Sequence, residues 1–176
     1  MARTSVNRRI FLILAIIIVL LVTYAVTKKT AAPVRPVEIT IEAASGETTL
    51  VTRVIDGDTI EVEGGRRVRY IGIDTPEITD CFGVTAKDKN SDLVAGKPVR
   101  LVSDISDKDA YGRLLRYVYA GDIFVNDTLV RQGFAAAEPI KPDIQYASQF
   151  LTAQNEAKQE HRGIWQACKS SVDTPQ

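Results

Sequence analysis

Residues 55–77, IDGDTIEVEGGRRVRYIGIDTPE, constrain this chain more than any other stretch. Ile55, Thr59–Val62 and Val68–Ile73 are dominated by β-branched or apolar residues. Gly64-Gly65 lies between the last two runs and supplies the φ > 0 residues of a tight hairpin, so the segment reads as strand, turn and strand. The acids of the same stretch include Asp58, Asp74 and Glu77, and its arginines include Arg69 on the second strand. Carboxylates at strand ends, on opposite sides of a hairpin, can meet in space. A hard divalent cation takes such oxygens together with backbone carbonyls. An arginine on the same sheet adds a planar fork for a phosphate. Metal, carboxylate and guanidinium together suggest phosphodiester chemistry.

Charge limits how nucleic acid could be held. The 176 residues balance overall, but from Thr49 onward acids outnumber bases 19 to 16. A protein gripping nucleic acid with a broad basic face would show the opposite excess in its folded part. Any such contact must depend on a few placed arginines and a metal. The length itself sets one domain with a core large enough to fold unaided.

Ahead of that domain lies Ile10–Val26, IFLILAIIIVLLVTYAV, an apolar run interrupted only by Thr23 and Tyr24. It suits a short membrane-spanning helix, and Arg3, Arg8 and Arg9 in the flank 1–9 favour the N-terminus inside. A cleaved signal peptide is the alternative, although the run is long for its apolar region. Either reading places the rest of the chain outside the cytoplasm, at the membrane surface or secreted. Residues 27–48 have two prolines and no aromatics and read as a tether, with a short strand possible in VEITIEA. The folded domain is expected over 49–168, followed by a tail, 169–176.

Within 49–168, LVTRVI, TIEVE and RVRYIGI form a three-strand meander. A weak helix is expected over Gly83–Val94, ended by Gly96, then strands over Lys97–Val102 and Leu114–Tyr119. Asn126 suits the N-cap of a short helix that Gly133 closes. A last helix is expected from about Asp143 to His161, with Tyr146, Phe150, Ala153 and Ala157 as one buried stripe and Trp165 in the core beyond it. Five strands with about three helices make an α+β fold around a small closed OB-type barrel.

The words VIDGDTI, RYIGIDTPE, CFG, DAYGRLLRYVY, VNDTLVRQGFA and GIW, in that order from about Leu50 to Trp165, resemble the staphylococcal-nuclease-like (thermonuclease) family. That resemblance implies an OB-fold barrel and calcium-dependent hydrolysis of DNA and RNA to 3′-phosphate products. Residue by residue it implies Asp58 and Asp74 as calcium carboxylates, with Thr75 giving a backbone carbonyl to the metal. Glu77 matches the general base, Arg69 and Arg113 the phosphate-binding arginines, and Tyr111 a nearby substrate contact. No protein partner is implied, and a monomer is expected.

The chain also departs from the family pattern. ITDCFG replaces a lysine-rich loop, Ala110 stands where a lysine often meets phosphate, and AAEPIKPDIQY lacks the paired tyrosines on which a nucleotide can stack. Taken singly, Asp-Gly-Asp is an ordinary turn and Arg113 an ordinary surface charge; their joint occurrence with Arg69 carries the functional reading. A non-catalytic OB-fold binding module is the alternative, and such modules typically lose these acids or arginines. The two cysteines, Cys81 and Cys168, are expected to pair in an exported chain, tying the loop after Glu77 to the C-terminal segment.

Overall fold

A computed structural model describes residues 14, 16–21, 24 and 46–168. The chain divides into two units, Met1–Thr40 and Ile41–Gln176. In the first, residues 14, 16–21 and 24 are helical and exposed. Among the described residues no helix is long and apolar enough to cross a membrane. The rest of the expected anchor 10–26, the flank 1–9, the linker through residue 45 with its possible strand, and the tail 169–176 lie outside the described residues.

In the second unit the expected meander forms as β1 (Glu47–Val54), β2 (Thr59–Val62) and β3 (Arg66–Tyr70), antiparallel in succession. Gly64 and Gly65 turn the β2–β3 hairpin at φ +79° and +70°, values at which any side chain would be strained. β1 serves two neighbours. Its first half pairs with β5 (Pro98–Val102), its second half with β2, and the register shifts between Val51 and Arg53. Such an irregularity bends a strand, which is what a small barrel needs at its corner. β5 pairs antiparallel with β6 (Leu114–Ala120), and β6 returns parallel to β3, Val68 opposite Leu114. Five strands thus close on themselves and leave no long open edge. This is the α+β barrel expected from the strand pattern. Before β3's partner strand comes β4 (Ile73–Asp74), which pairs with β8 (Ala136–Ala137) in a separate ladder; β7 (Ile123–Phe124) extends β6.

Inward positions fill the barrel with Val51, Ile60, Val62, Val68, Tyr70 and Leu101, all 2% exposed or less. Three helices surround it: α1 (Gly83–Val94), α2 (Val125–Arg131) and α3 (Ala147–Gln159), followed by the short α4 (Ile164–Ala167). The bounds of α1 agree with the sequence reading. Those of α3 do not, because it begins at Ala147 instead of Asp143. The Asp143 carboxylate accepts hydrogen bonds from the backbone N–H groups of Ile105 and Ser106 at 2.9 and 2.7 Å, which holds it against another loop and out of the helix. Asn126 does not cap α2 either. It sits in the first turn, fully buried, with its Nδ2 donating to the Ile71 carbonyl and its Oδ1 accepting from the Val118 N–H, both at 2.9 Å. Trp165 is only half-buried on α4, with Lys158 Nζ 4.5 Å from its ring centroid, so it belongs to the surface layer and not to the core.

Phe150 is the anchor of the α3 stripe. It is 1% exposed, its ring lies 5.6 Å from Phe124 and 6.2 Å from Tyr117, and its edge fills the space where Gly72 has no Cβ. Phe150→Ala is expected to cost about 3–5 kcal/mol, read as a lowered urea midpoint at unchanged slope.

Candidate active site

The site is assembled where the β1–β2 turn meets the segment after β4. Asp56-Gly57-Asp58 forms the turn, with the Asp58 N–H donating to Asp56 Oδ1 at 3.0 Å. Gly57 lies so close to Thr75 that a Cβ there would fall 2.6 Å from Thr75 Oγ1. That approach lets Asp58 reach across. Its Oδ2 accepts from both the N–H and the hydroxyl of Thr75, at 2.8 and 2.9 Å, and its Oδ1 lies 3.0 Å from Arg69 Nε. Asp58 is 4% exposed. Burial pushes its carboxyl up to about 6, with the charge of Asp56 adding to the effect and Arg69 and the Thr75 bonds opposing it.

Arg69 is the hub. Besides Asp58, its Nη2 lies 2.8 Å from Asp74 Oδ1 and 3.7 Å from Glu138 Oε2, and its Nη1 donates to the carbonyls of Tyr70 and Ile73. Asp74, at the end of β4, is more than half exposed. Arg113 reaches the same place from the loop before β6. Asp109 holds it by accepting from its Nε at 2.6 Å and from its backbone N–H at 2.9 Å. Burial alone would raise the Asp109 carboxyl, but the bonds from Arg113 and from the Tyr111 N–H outweigh it and hold the group below the ordinary range.

These groups line a cleft of about 200 Å³ in which Asp58, Arg69, Asp74, Thr75, Glu77 and Arg113 come together, with Asp56 beside them. Tyr111 is not among the lining residues; it is 85% exposed on an adjoining groove, its ring 5.5 Å from the Arg113 guanidinium. Cys81 and Cys168 form a disulfide across a sequence separation of 87, joining the loop after Glu77 to the residue that follows α4.

Glu77 is set by backbone contacts. Its carbonyl accepts from the Asp80 N–H at 2.8 Å and faces Gly83, where a Cβ would stand only 1.8 Å from that oxygen. No side-chain rotation can relieve such an overlap, because both partners are main chain. Gly83→Ala is therefore expected to displace the Glu77 segment and lower kcat by about 10²-fold, the scale of a 1 Å misplacement, with a smaller change in KM. Activity within a fewfold of wild type would show that Gly83 does not set this segment.

Several contributors escaped the sequence reading. Asn90 is the clearest: fully buried on α1, it accepts from the Tyr70 hydroxyl at 2.9 Å and donates to the Asp56 carbonyl at 3.0 Å, tying the helix to the turn that carries Asp58. Its position at i+4 from Ala86 and i−3 from Leu93 marks it as part of the buried stripe, which was the available signal. The roles of Asp109 and Glu138 were not readable, although Asp109 opens the word DAYGRLLRYVY, since each is an ordinary acid in a loop until its arginine is located in space.

The chemistry of the donor set suits a hard divalent cation. It offers carboxylate oxygens from Asp58 and Asp74 and no sulfur or imidazole. Among the described residues no three acid, histidine or cysteine side chains gather into a cage. An ion here would draw its remaining oxygens from carbonyl, water and substrate, and would share Asp58 and Asp74 with Arg69. A buried carboxylate raised by burial is what such a charge would relieve.

A cleft combining carboxylates with two guanidiniums is of the class that handles phosphodiesters. The family model described as staphylococcal nuclease homologue matches residues 67–167, which includes Arg69, Asp74, Glu77 and Arg113 but begins after Asp58. The chain is 37% identical to the thermonuclease of Staphylococcus intermedius over 169 residues, covering 88% of this chain and 95% of that one. It is 36% identical over 131 residues to the thermonuclease of Staphylococcus hyicus, covering 69% and 78%. Endonuclease YncB of Bacillus subtilis is 40% identical over 124 residues, 64% of this chain and 59% of that one. The chain belongs to the staphylococcal nuclease homologue family, and it is a hydrolase of the nuclease type.

Proposed function

We propose that the protein hydrolyses phosphodiester bonds of DNA and RNA in a calcium-dependent reaction that leaves 3′-phosphate ends, outside the cytoplasm and tethered by residues 10–26. The observation that carries this reading is the shared cleft: Asp58, Asp74, Glu77, Arg69 and Arg113 line one small space. Asp58, Asp74 and the Thr75 carbonyl would hold the ion. When bound, calcium neutralises charge on the phosphate and favours attack at phosphorus. Glu77 takes the proton from the attacking water. Arg69 and Arg113 bind the non-bridging phosphate oxygens through paired N–H groups, and those bonds strengthen as charge builds on the oxygens. Asp109 keeps Arg113 turned to the cleft, and Arg69 together with the Thr75 bonds favours the ionised form of Asp58 against its burial.

Location is part of the proposal, because calcium is abundant outside the cytoplasm and a disulfide persists there. The test uses the full-length protein with single- and double-stranded DNA and with RNA, in calcium and in excess chelator. Cleavage in calcium should fall by more than about 10²-fold in chelator, and the new 3′ ends should release phosphate to a phosphatase. Calcium-independent cutting sinks the metal assignment. Intact substrate with a folded, calcium-loaded sample leaves only a binding module. Membrane attachment predicts recovery in a pellet that resists salt and yields to detergent; a soluble, shortened product in the medium would mean signal cleavage.

A further inference from the structure

Across Arg113 from the cleft lies a broader groove of about 660 Å³, and its lining includes Arg66, Arg67, Lys108, Tyr111 and Arg113 but no acidic residue. That is unexpected in a folded segment where acids outnumber bases. Two of the cations are committed: Arg66 is held by both carboxylate oxygens of Glu47, and Arg113 by Asp109. Arg67 and Lys108 have no ion pair among the described residues. Glu61, directly opposite Arg67 on the β2–β3 ladder, is paired with Arg53 instead.

The register of β3 places these charges relative to the cleft. Arg67 and Arg69 alternate with buried Val68, so both project from the outer face of one strand. Their Cα atoms are separated by two strand residues, about 7 Å. That is the scale on which successive phosphates follow one another along an extended nucleic-acid strand. Lys108 lies on the far wall, in a bridge to Leu114 at the start of β6. Tyr111 presents an almost fully exposed ring at the junction with Arg113, a surface on which a base can stack.

We propose that this groove is a subsite for a single nucleic-acid strand flanking the scissile bond, with Arg67 and Lys108 holding the neighbouring phosphates and Tyr111 stacking a base. The proposal rests on the reading of the cleft as the place where the scissile phosphate meets Arg69. It also supplies phosphate contacts in a chain whose Ala110 lacks an amine beside Tyr111.

The test compares the full-length protein with its Arg67→Ser/Lys108→Ser variant on two substrates, a ten-nucleotide single strand and a dinucleoside monophosphate, whose one phosphate can occupy only the cleft. The ratio of kcat/KM for the ten-mer to that for the dinucleoside monophosphate should fall about tenfold, through KM. Anisotropy of a labelled single strand should show a matching loss of affinity. The slope of log affinity against log salt should shrink by about 1.4, or 0.7 for each of two phosphates lost. An unchanged ratio or an equal loss on both substrates overturns the proposal. If neither substrate is cut by the unaltered protein, the nuclease reading of the cleft fails on its own. Anisotropy still decides the groove in that case, since equal affinities in the two proteins overturn it.

Discussion

Glu77→Gln should lower kcat by about 10²–10⁴-fold, the range for removing a positioned general base, while KM and the melting temperature stay where they are. Stability is expected to hold because the side chain supports nothing. Glu77 is exposed, and its carboxylate makes no hydrogen bond or ion pair among the described residues; its backbone carbonyl, held by Asp80 and abutting Gly83, keeps the segment in place whatever the side chain. Glutamine retains the size and one carbonyl oxygen, and loses the negative charge and with it the ability to accept a proton. A large fall in kcat with intact folding would therefore assign proton transfer to this residue. A fall of less than about tenfold would remove it from that role and leave Asp56, which lines the same cleft, as the acid to examine next.

The barrel was legible because its signals are local. Alternation along residues 59–62 and 66–70 and two glycines at the turn specify a hairpin without reference to the rest of the chain. The α1 bounds were readable from equally local signals, the few apolar residues Ala86, Leu93 and Val94 and a glycine, Gly96, just past its end. What could not be read were contacts whose partners lie far apart in sequence. Asp143 takes its hydrogen bonds from Ile105 and Ser106, so a segment with helical periodicity stays outside α3. Asn126 looks like a cap from its neighbours alone, yet the carbonyl it satisfies belongs to Ile71. β4 and β8 are two residues each, too short for any period to show, although they place Asp74 at the cleft. The requirement at Gly83 was hidden as well. Its backbone angles suit any helical residue, and only the approach of Glu77 in space forbids a side chain.

Arg69→Ala should be the most damaging single change, because it removes a catalytic cation and a structural one together. The guanidinium, 14% exposed, is the only charged partner within an ion-pair distance of Asp58 among the described residues, and Asp58 is itself 6% exposed in its side chain. Deleting one member of such a pair costs about 3–5 kcal/mol, most of it the penalty of the stranded charge. The carbonyls of Tyr70 and Ile73 lose a donor at the same time. Activity should fall by about 10²–10³-fold through the lost phosphate contact, beyond whatever fraction unfolds. Two further variants separate these effects. Arg69→Ala/Asp58→Asn neutralises the stranded carboxylate, so its unfolding midpoint should rise above that of Arg69→Ala while its activity stays lost. Arg69→Lys keeps a charge near Asp58 but cannot reach Asp58, Asp74 and a phosphate oxygen with one planar fork; it should retain more stability than Arg69→Ala and still lose most activity. Near-normal turnover in Arg69→Lys would mean that charge alone suffices at the phosphate. A double variant no more stable than Arg69→Ala would mean that the buried carboxylate finds its compensation in Thr59 and Thr75, and that Arg69 serves the reaction more than the fold.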